Sequence, residues 1–194
     1  MPAASQPPLI VLDRDGTLNM DDQSIITSPR DWRPLPGALE AVAKLNQAGW
    51  RVVIATNQSG LGRGLFDMAT MNAVHEKMHK LLATAGARVD AVFFCPHTRD
   101  DHCDCRKPLP GLFQRISERF GVPGDQLVVV GNTVRHVAAG VAVGAQTHLV
   151  LTGKCASYSE QMPPPELPPS TRLHSDLSGF ADQFLAAQAA RGTA

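Results

Sequence analysis

Two aspartates, Asp13 and Asp15, stand directly after four apolar residues and directly before a Gly-Thr turn, in Leu9-Ile-Val-Leu-Asp-Arg-Asp-Gly-Thr-Leu-Asn19. Residues 13 and 15 lie on the same side of an extended chain, so both carboxyls can face one small pocket. Like charges that close are costly unless a cation or a proton separates them. Asp, Gly and Thr are also ordinary turn residues, so the stretch alone fits a strand running into an acidic turn as well. Three later segments narrow the choice: Thr56-Asn57 and Gly131-Asn132 stand at the ends of short apolar runs, and Arg106-Lys107 follows the cysteine loop after a third. A carboxylate nucleophile, a second carboxyl, a hydroxyl beside exposed backbone amides and a lysine suit phosphoryl transfer. Asp13 would attack phosphorus. Asp15 would first protonate the leaving oxygen and then help water hydrolyse the aspartyl-phosphate. Thr56, neighbouring N–H groups and Lys107 would stabilise the equatorial oxygens, where charge spreads in the transition state. Mg²⁺ suits such a site, since it is held by one or two carboxylates together with substrate phosphate and waters.

A second constellation concerns a different metal. Cys95, His97, Cys103 and Cys105 fall within eleven residues, with Cys155 far away. Three thiolates and an imidazole make a tetrahedral Zn²⁺ set with no open position, which is a structural site. His102 is an alternative imidazole, although its place beside Cys103 disfavours it. The unmetallated reading is a reduced loop with His97 exposed. The work of such a site would be to hold the segment leading into Arg106 and Lys107. His75 and His79, four apart, could share a metal from one helical face, but no acidic partner motif accompanies them.

Positioning these groups requires strands that end where they stand. Leu9–Leu12, residues 51–56, 89–94, 126–131 and 148–151 read as five buried strands. Between them lie helical patterns. Gly37 opens one with Leu39, Val42, Ala43 and Leu45. Asp67 is the expected N-cap of another carrying Met71, Val74, Met78, Leu81 and Leu82. Leu112, Phe113, Ile116 and Phe120 mark a third, ended by Gly121, and a small-residue helix runs through 137–143. This alternation predicts an α/β fold, a doubly wound and mostly parallel sheet covered on both faces. In such a sheet ligands bind outside the carboxyl ends of the strands. Residues 20–36 have no clean period and form an expected loop over the first strand's tip, ordered by Trp32 and Ile25-Ile26. Residues 161–171 are a Pro-rich connector, and a short helix with Leu177, Phe180 and Phe184 is expected on the domain's edge. The expected organisation is one domain over 1–194, with its core at 8–152, the zinc loop at 95–105 and the connector and helix at 153–190.

The chain has 194 residues with 18 basic and 18 acidic side chains, a net charge of zero. That balance excludes a strongly basic nucleic-acid or membrane-surface binder. An anionic ligand would have to be drawn by a local cluster. The first residues carry no secretory pattern and no apolar run is long enough to span a bilayer, so a cytoplasmic protein is expected. No unclaimed apolar stripe remains, and a monomer is expected.

The segments LDRDGTLN, ATNQSG, CRKP and VVVGN, in that order, resemble the four motifs of the haloacid dehalogenase superfamily of phosphatases over about residues 9–150. The Cys/His loop followed by CRKP is similar to one family within it, the D-glycero-D-manno-heptose 1,7-bisphosphate 7-phosphatases, and to their relatives the histidinol-phosphate phosphatases. The resemblance implies a Rossmann-like core without a large cap, using Mg²⁺ and a structural Zn²⁺. It makes Asp13 the nucleophile and Asp15 the acid/base, with Thr56 and Lys107 on the phosphoryl group. It assigns substrate contacts to Asp21, Asp22, Gln23 and Ser24, to Asn57, Gln58 and Ser59, and to Arg106 and Thr133. The implied substrate is a small sugar phosphate of lipopolysaccharide or capsule heptose synthesis. A histidinol-phosphate phosphatase would want an acid for the substrate's amine, which Asp21 or Asp22 could supply.

One motif departs from the family. Its fourth segment normally reads Gly-Asp with a further Asp four residues on, and the first of these acids binds Mg²⁺. This chain has Gly131-Asn132 and His136. Asn132 can still offer an amide oxygen to Mg²⁺ beside Asp13 and Asp15, but a formal charge is lost. His136 is expected to pack or to face solvent. The departure leaves two readings, a phosphatase needing more Mg²⁺ or a phosphosugar-binding homologue with weakened chemistry.

Overall fold

Residues 8–22 and 25–192 are described here from a computed structural model. Gln23 and Ser24 lie outside the described residues. Six strands form one sheet: β1 (Leu9–Leu12), β2 (Arg51–Asn57), β3 (Ala91–Cys95), β4 (Leu127–Gly131), β5 (Gln146–Val150) and β6 (Arg172–His174), in the order β3-β2-β1-β4-β5-β6. Every pairing is parallel, with Leu12 opposite both Ile54 and Val130. β1 is fully buried on both faces, which is why it reads as an unbroken apolar run rather than an alternating one. Side chains leave a strand alternately, so its residues divide between two cores. Ile10, Leu12, Val52 and Ile54 meet α1 (Ala38–Gln47) and α3 (Met68–Thr84) on one face. Leu9, Val11, Val53 and Ala55 meet α4 (Gly111–Phe120) on the other. The remaining helices are the single turn α2 (Ser59–Gly62), α5 (Val134–Val141) and α6 (Leu177–Gly192).

The helix starts follow from local chemistry. Asp67 caps α3 as expected, its carboxylate accepting from the Thr70 N–H at 2.7 Å. Thr133 caps α5 by accepting from the His136 N–H at 3.3 Å. The chain is wound in both directions from β1, with β2 and β3 to one side and β4, β5 and β6 to the other. The crevice at a parallel sheet's ligand-binding end therefore opens between the tips of β1 and β4.

Two expectations are corrected. The sheet has six strands, not five, because Arg172–His174 adds alongside β5. Three residues carry no period of their own, and only the neighbouring strand makes them a strand. The C-terminal helix is neither short nor peripheral. α6 has 16 residues and inserts Leu177, Phe180 and Phe184 into the larger core beside α1, to which Lys44 and Asp182 tie it at 2.7 Å.

The 20–36 loop is ordered by its ends. The Leu35 N–H donates to the Leu18 carbonyl at 3.0 Å and the Met20 N–H to the Arg33 carbonyl at 2.8 Å, and Trp32 is fully buried. Lys77 on α3 donates to the Pro29 and Trp32 carbonyls, at 2.7 Å each. Among the described residues no helix is long and apolar enough to cross a membrane.

Candidate active site

The tips of β1, β2 and β4 and the segment after β3 converge on one cavity of about 780 Å³. Asp13 continues the ladder beyond β1, its N–H donating to the Val130 carbonyl at 2.9 Å, and its side chain is buried. Lys107, also buried, reaches it from the opposite wall with Nζ 2.9 Å from Oδ1. The same ammonium donates to the Ala55 carbonyl and to His136 Nδ1, both at 2.8 Å. Three acceptors for three protons hold Lys107 as an ammonium aimed at the carboxylate. Burial is the largest influence and pushes the Asp13 carboxyl up, but the Lys107 charge and hydrogen bond, the His136 ring and the Arg14 N–H together hold it below the ordinary carboxylate range. An ionised, buried Asp13 is what a nucleophile requires.

Of the two expectations for His136 the packed one holds: it does not face solvent but is fully buried against Phe113 and, beyond what was expected, against Lys107. Its Nδ1 accepts from the ammonium, so the ring proton sits on Nε2. Burial and the Lys107 charge depress its pKa to about 3, and the ring is neutral. Gly131 lies under the ring so closely that a Cβ there would stand 2.6 Å from Cδ2. Lys107 thus has one carboxylate and one neutral ring as side-chain partners.

Asp15 half-faces the cavity inside a shell of donors. Arg14 forks onto it, Nε to Oδ1 at 3.0 Å and Nη2 to Oδ2 at 3.1 Å. Asn19 Nδ2 donates to Oδ1 at 3.1 Å and Gln58 Nε2 to Oδ2 at 2.8 Å. The guanidinium of Arg14 is almost wholly buried and its Nη1 lies 3.1 Å from His75 Nε2. Burial and the Arg14 charge hold the His75 pKa down at about 4. Gln58 also donates to the Thr56 hydroxyl at 2.9 Å. Asn57 brackets the Lys107 backbone, accepting from its N–H and donating to its carbonyl, both at 3.2 Å.

The structure thus brings together Asp13, Asp15, Asp21, Thr56, Asn57, Gln58, Ser59, Arg106, Lys107 and Thr133, all on the cavity wall. Asp22 lies on the surface, where Arg33 pairs with it at 2.7 Å, and is not among the lining residues. Residues that the motifs did not point to also line the cavity. Gly153, Lys154, Ala156 and Ser157 supply a wall from the turn after β5, and Lys154 pairs with Asp21 at 3.6 Å. Arg63 from the loop after α2 and Arg135 from the first turn of α5 complete the rim. A basic residue in the turn after a strand tip was the only available signal for each.

Both metal sites can be tested against the residues present. Asp13, Asp15 and the Asn132 amide oxygen form a hard-oxygen donor set of the kind Mg²⁺ takes. Asn132 is fully buried, with Oδ1 accepting from the Thr17 hydroxyl at 3.2 Å. Gly16, at φ 79°, passes so close to its amide that any Cβ would collide with it. Asn132 is thereby held just beyond β4 with its Oδ1 on Thr17; unlike Asp13 and Asp15 it is not among the residues that line the cavity. The Cys/His group fits zinc more directly. The ligand atoms of Cys95, His97, Cys103 and Cys105 all lie within 4.8 Å of one another. Cys95 and Cys103 Sγ are 3.7 Å apart, and His97 Nδ1 is 3.3 Å from Cys105 Sγ. Zn–S bonds of about 2.3 Å arranged tetrahedrally place sulfurs about 3.8 Å apart. Cys95 ends β3 and Cys105 directly precedes Arg106, so a metal held by the group would tie the sheet to the Lys107 segment. Arg106 Nη1 in turn donates to the His97 carbonyl at 2.9 Å.

A haloacid dehalogenase-like hydrolase family model matches residues 19–144. The chain belongs to the haloacid dehalogenase-like hydrolases. Within that class its relatives are narrower. The D-glycero-beta-D-manno-heptose-1,7-bisphosphate 7-phosphatase of Bordetella bronchiseptica is 49% identical over 177 residues, 91% of this chain and 97% of the relative. The enzyme of the same name from Pseudomonas aeruginosa is 41% identical over 91% of this chain and 97% of its own length. The crystal structure of the B. bronchiseptica D,D-heptose 1,7-bisphosphate phosphatase, complexed with magnesium and phosphate, superposes with a TM-score of 0.87. It is 48% identical, covering 93% of this chain and 99% of the other. The Burkholderia thailandensis D,D-heptose 1,7-bisphosphate phosphatase gives 0.72 at 47% identity, over 92% of this chain and 99% of its own.

Proposed function

We propose that this chain is a Mg²⁺-dependent phosphatase acting on the 7-phosphate of D-glycero-β-D-manno-heptose 1,7-bisphosphate. The observation that carries the reading is the buried Asp13–Lys107 pair at the floor of a sugar-sized cavity, in a chain whose relatives bear that activity. Asp13 attacks phosphorus in line with the leaving sugar oxygen, forming an aspartyl-phosphate. Asp15 gives a proton to that oxygen and later takes one from the attacking water. Lys107, the Thr56 hydroxyl and nearby backbone N–H groups hold the equatorial oxygens. Asp13, Asp15 and Asn132 would hold Mg²⁺, which when bound neutralises phosphoryl charge. Zn²⁺ at Cys95, His97, Cys103 and Cys105 would be structural.

The rim supports a substrate with a second phosphate. Five cationic side chains, Arg63, Arg106, Lys107, Arg135 and Lys154, face three acids across the cavity in a chain of zero net charge. Arg135 makes no side-chain hydrogen bond or ion pair among the described residues. Arg135→Ala is expected to lower kcat/KM for the sugar bisphosphate about tenfold, as losing one charge-assisted contact should. The monophosphate should change less than threefold. Equal losses for both substrates would assign Arg135 to the reacting phosphoryl group. The histidinol-phosphate alternative is disfavoured because Lys154 already neutralises Asp21, the cavity-lining acid an amine would need.

The test is phosphate release from the heptose bisphosphate across a Mg²⁺ titration, with Asn132→Asp alongside. The parent should saturate at millimolar Mg²⁺. The variant gains a unit charge near a divalent ion, worth about 1–4 kcal/mol, and should saturate at tenfold lower Mg²⁺ or less. Release only from the variant would instead make the natural chain a phosphosugar-binding homologue.

A further inference from the structure

We infer that His75 is a positioning residue for the reaction, acting through Arg14 to hold the carboxyl of Asp15. This rests on the reading of Asp15 as the acid/base. Asp15 and Arg14 are adjacent in the chain. Here the guanidinium turns back to place Nε and Nη2 on the two Asp15 oxygens. That leaves Nη1, the far corner of the fork, pointing into the protein, where the guanidinium is almost wholly buried. Its acceptor is His75 Nε2, at 3.1 Å. Arginine has donors only, so His75 accepts with Nε2 and carries its proton on Nδ1. A neutral ring suits this place, since a protonated one would meet the guanidinium as a like charge.

α3 holds the ring rigidly. Met71, Val74 and Met78, on the turns around His75, are buried in the core, and Lys77 binds the loop that carries Trp32. The three residues thus form a line from a core-anchored helix to the cavity. Gln58 and Asn19 brace Asp15 from its other sides, but each contributes one N–H, whereas the Arg14 fork sets the plane of the carboxyl. Without His75, the buried Nη1 has no protein acceptor, and the guanidinium must turn to find one. Misplacing a reacting group by about 1 Å can cost on the order of a hundredfold in rate.

The test uses the leaving group. A sugar oxygen departs poorly without a proton, whereas p-nitrophenolate needs none, so losing the Asp15 proton slows only the first. His75→Leu is expected to lower kcat/KM for the heptose bisphosphate about tenfold and for p-nitrophenyl phosphate less than twofold. His75→Gln, which restores an acceptor oxygen at a similar reach, should recover most of the loss. His75→Asn, polar but too short, should behave as the leucine variant does and covers a folding failure there. Equal losses with both substrates, or none, would overturn the inference. Asp15→Asn is the reference. If it lacks the selective loss, the acid/base reading of Asp15 fails; if it shows the loss and the His75 variants do not, only the role of His75 does.

Discussion

Replacing Asp13 by asparagine is expected to lower turnover by about 10⁴-fold or more, because the amide cannot form the phosphoenzyme and the neighbouring carboxylate, Asp15, is held by Arg14, Asn19 and Gln58. The substitution is isosteric, and the amide oxygen can still accept from Lys107. Its consequence for binding runs the other way. The ammonium of Lys107 loses its opposing charge and keeps three neutral acceptors, the new amide oxygen, the Ala55 carbonyl and the His136 ring. An incoming phosphate then meets an unneutralised cation and one negative charge fewer on the cavity wall. Inorganic phosphate should therefore bind the variant at least as tightly as the parent, measured calorimetrically on folded protein. Leaving a buried ammonium unpaired costs stability, of order 3–5 kcal/mol, so thermal unfolding should fall until phosphate is added. Residual turnover above about 1% would remove Asp13 as the nucleophile.

Disrupting the proposed zinc site of the Cys/His group is the second large effect. Cys103→Ser is expected to take zinc from about one per chain to near zero, by elemental analysis. The apparent stabilisation from a structural zinc site is large. At roughly 2–4 °C per kcal/mol for a domain of this size, even a few kcal/mol lowers the melting temperature by about 10 °C. Turnover should fall by about a hundredfold as well, through geometry rather than chemistry. Cys105 immediately precedes Arg106 and Lys107, Asp104 accepts from the Gly111 N–H at 3.0 Å, and His97 anchors Arg106. Releasing the thiolates frees the backbone that aims the Lys107 ammonium at Asp13. A metal-free protein with full activity and an unchanged melting temperature would sink the structural-zinc reading.

The residues nearest the chemistry were legible in the sequence because each is announced locally. Asp13 follows an apolar run that can only be a doubly buried strand, and Thr56-Asn57 and Gly131-Asn132 follow two more of the same kind. Such runs pair in parallel, and parallel pairing carries their ends to one edge of the sheet. The Cys/His spacing was equally local, since its four ligands share one loop. What the chain could not state by itself depended on contacts across long separations. His136 was expected to pack or face solvent, and only the adjacency of β4 to β1 turns it onto Lys107, 29 residues earlier. His75 and Arg14 are 61 residues apart and meet because α3 crosses the face behind β1. The wall at 153–157, the strand Arg172–His174 and the core position of α6 were hidden for the same reason. Their short or irregular segments have no period of their own, and they take structure from burial against elements already in place. Sequence pattern thus determined which groups stand at the strand tips, while the packing of helices around the sheet decided which side chains hold them in line.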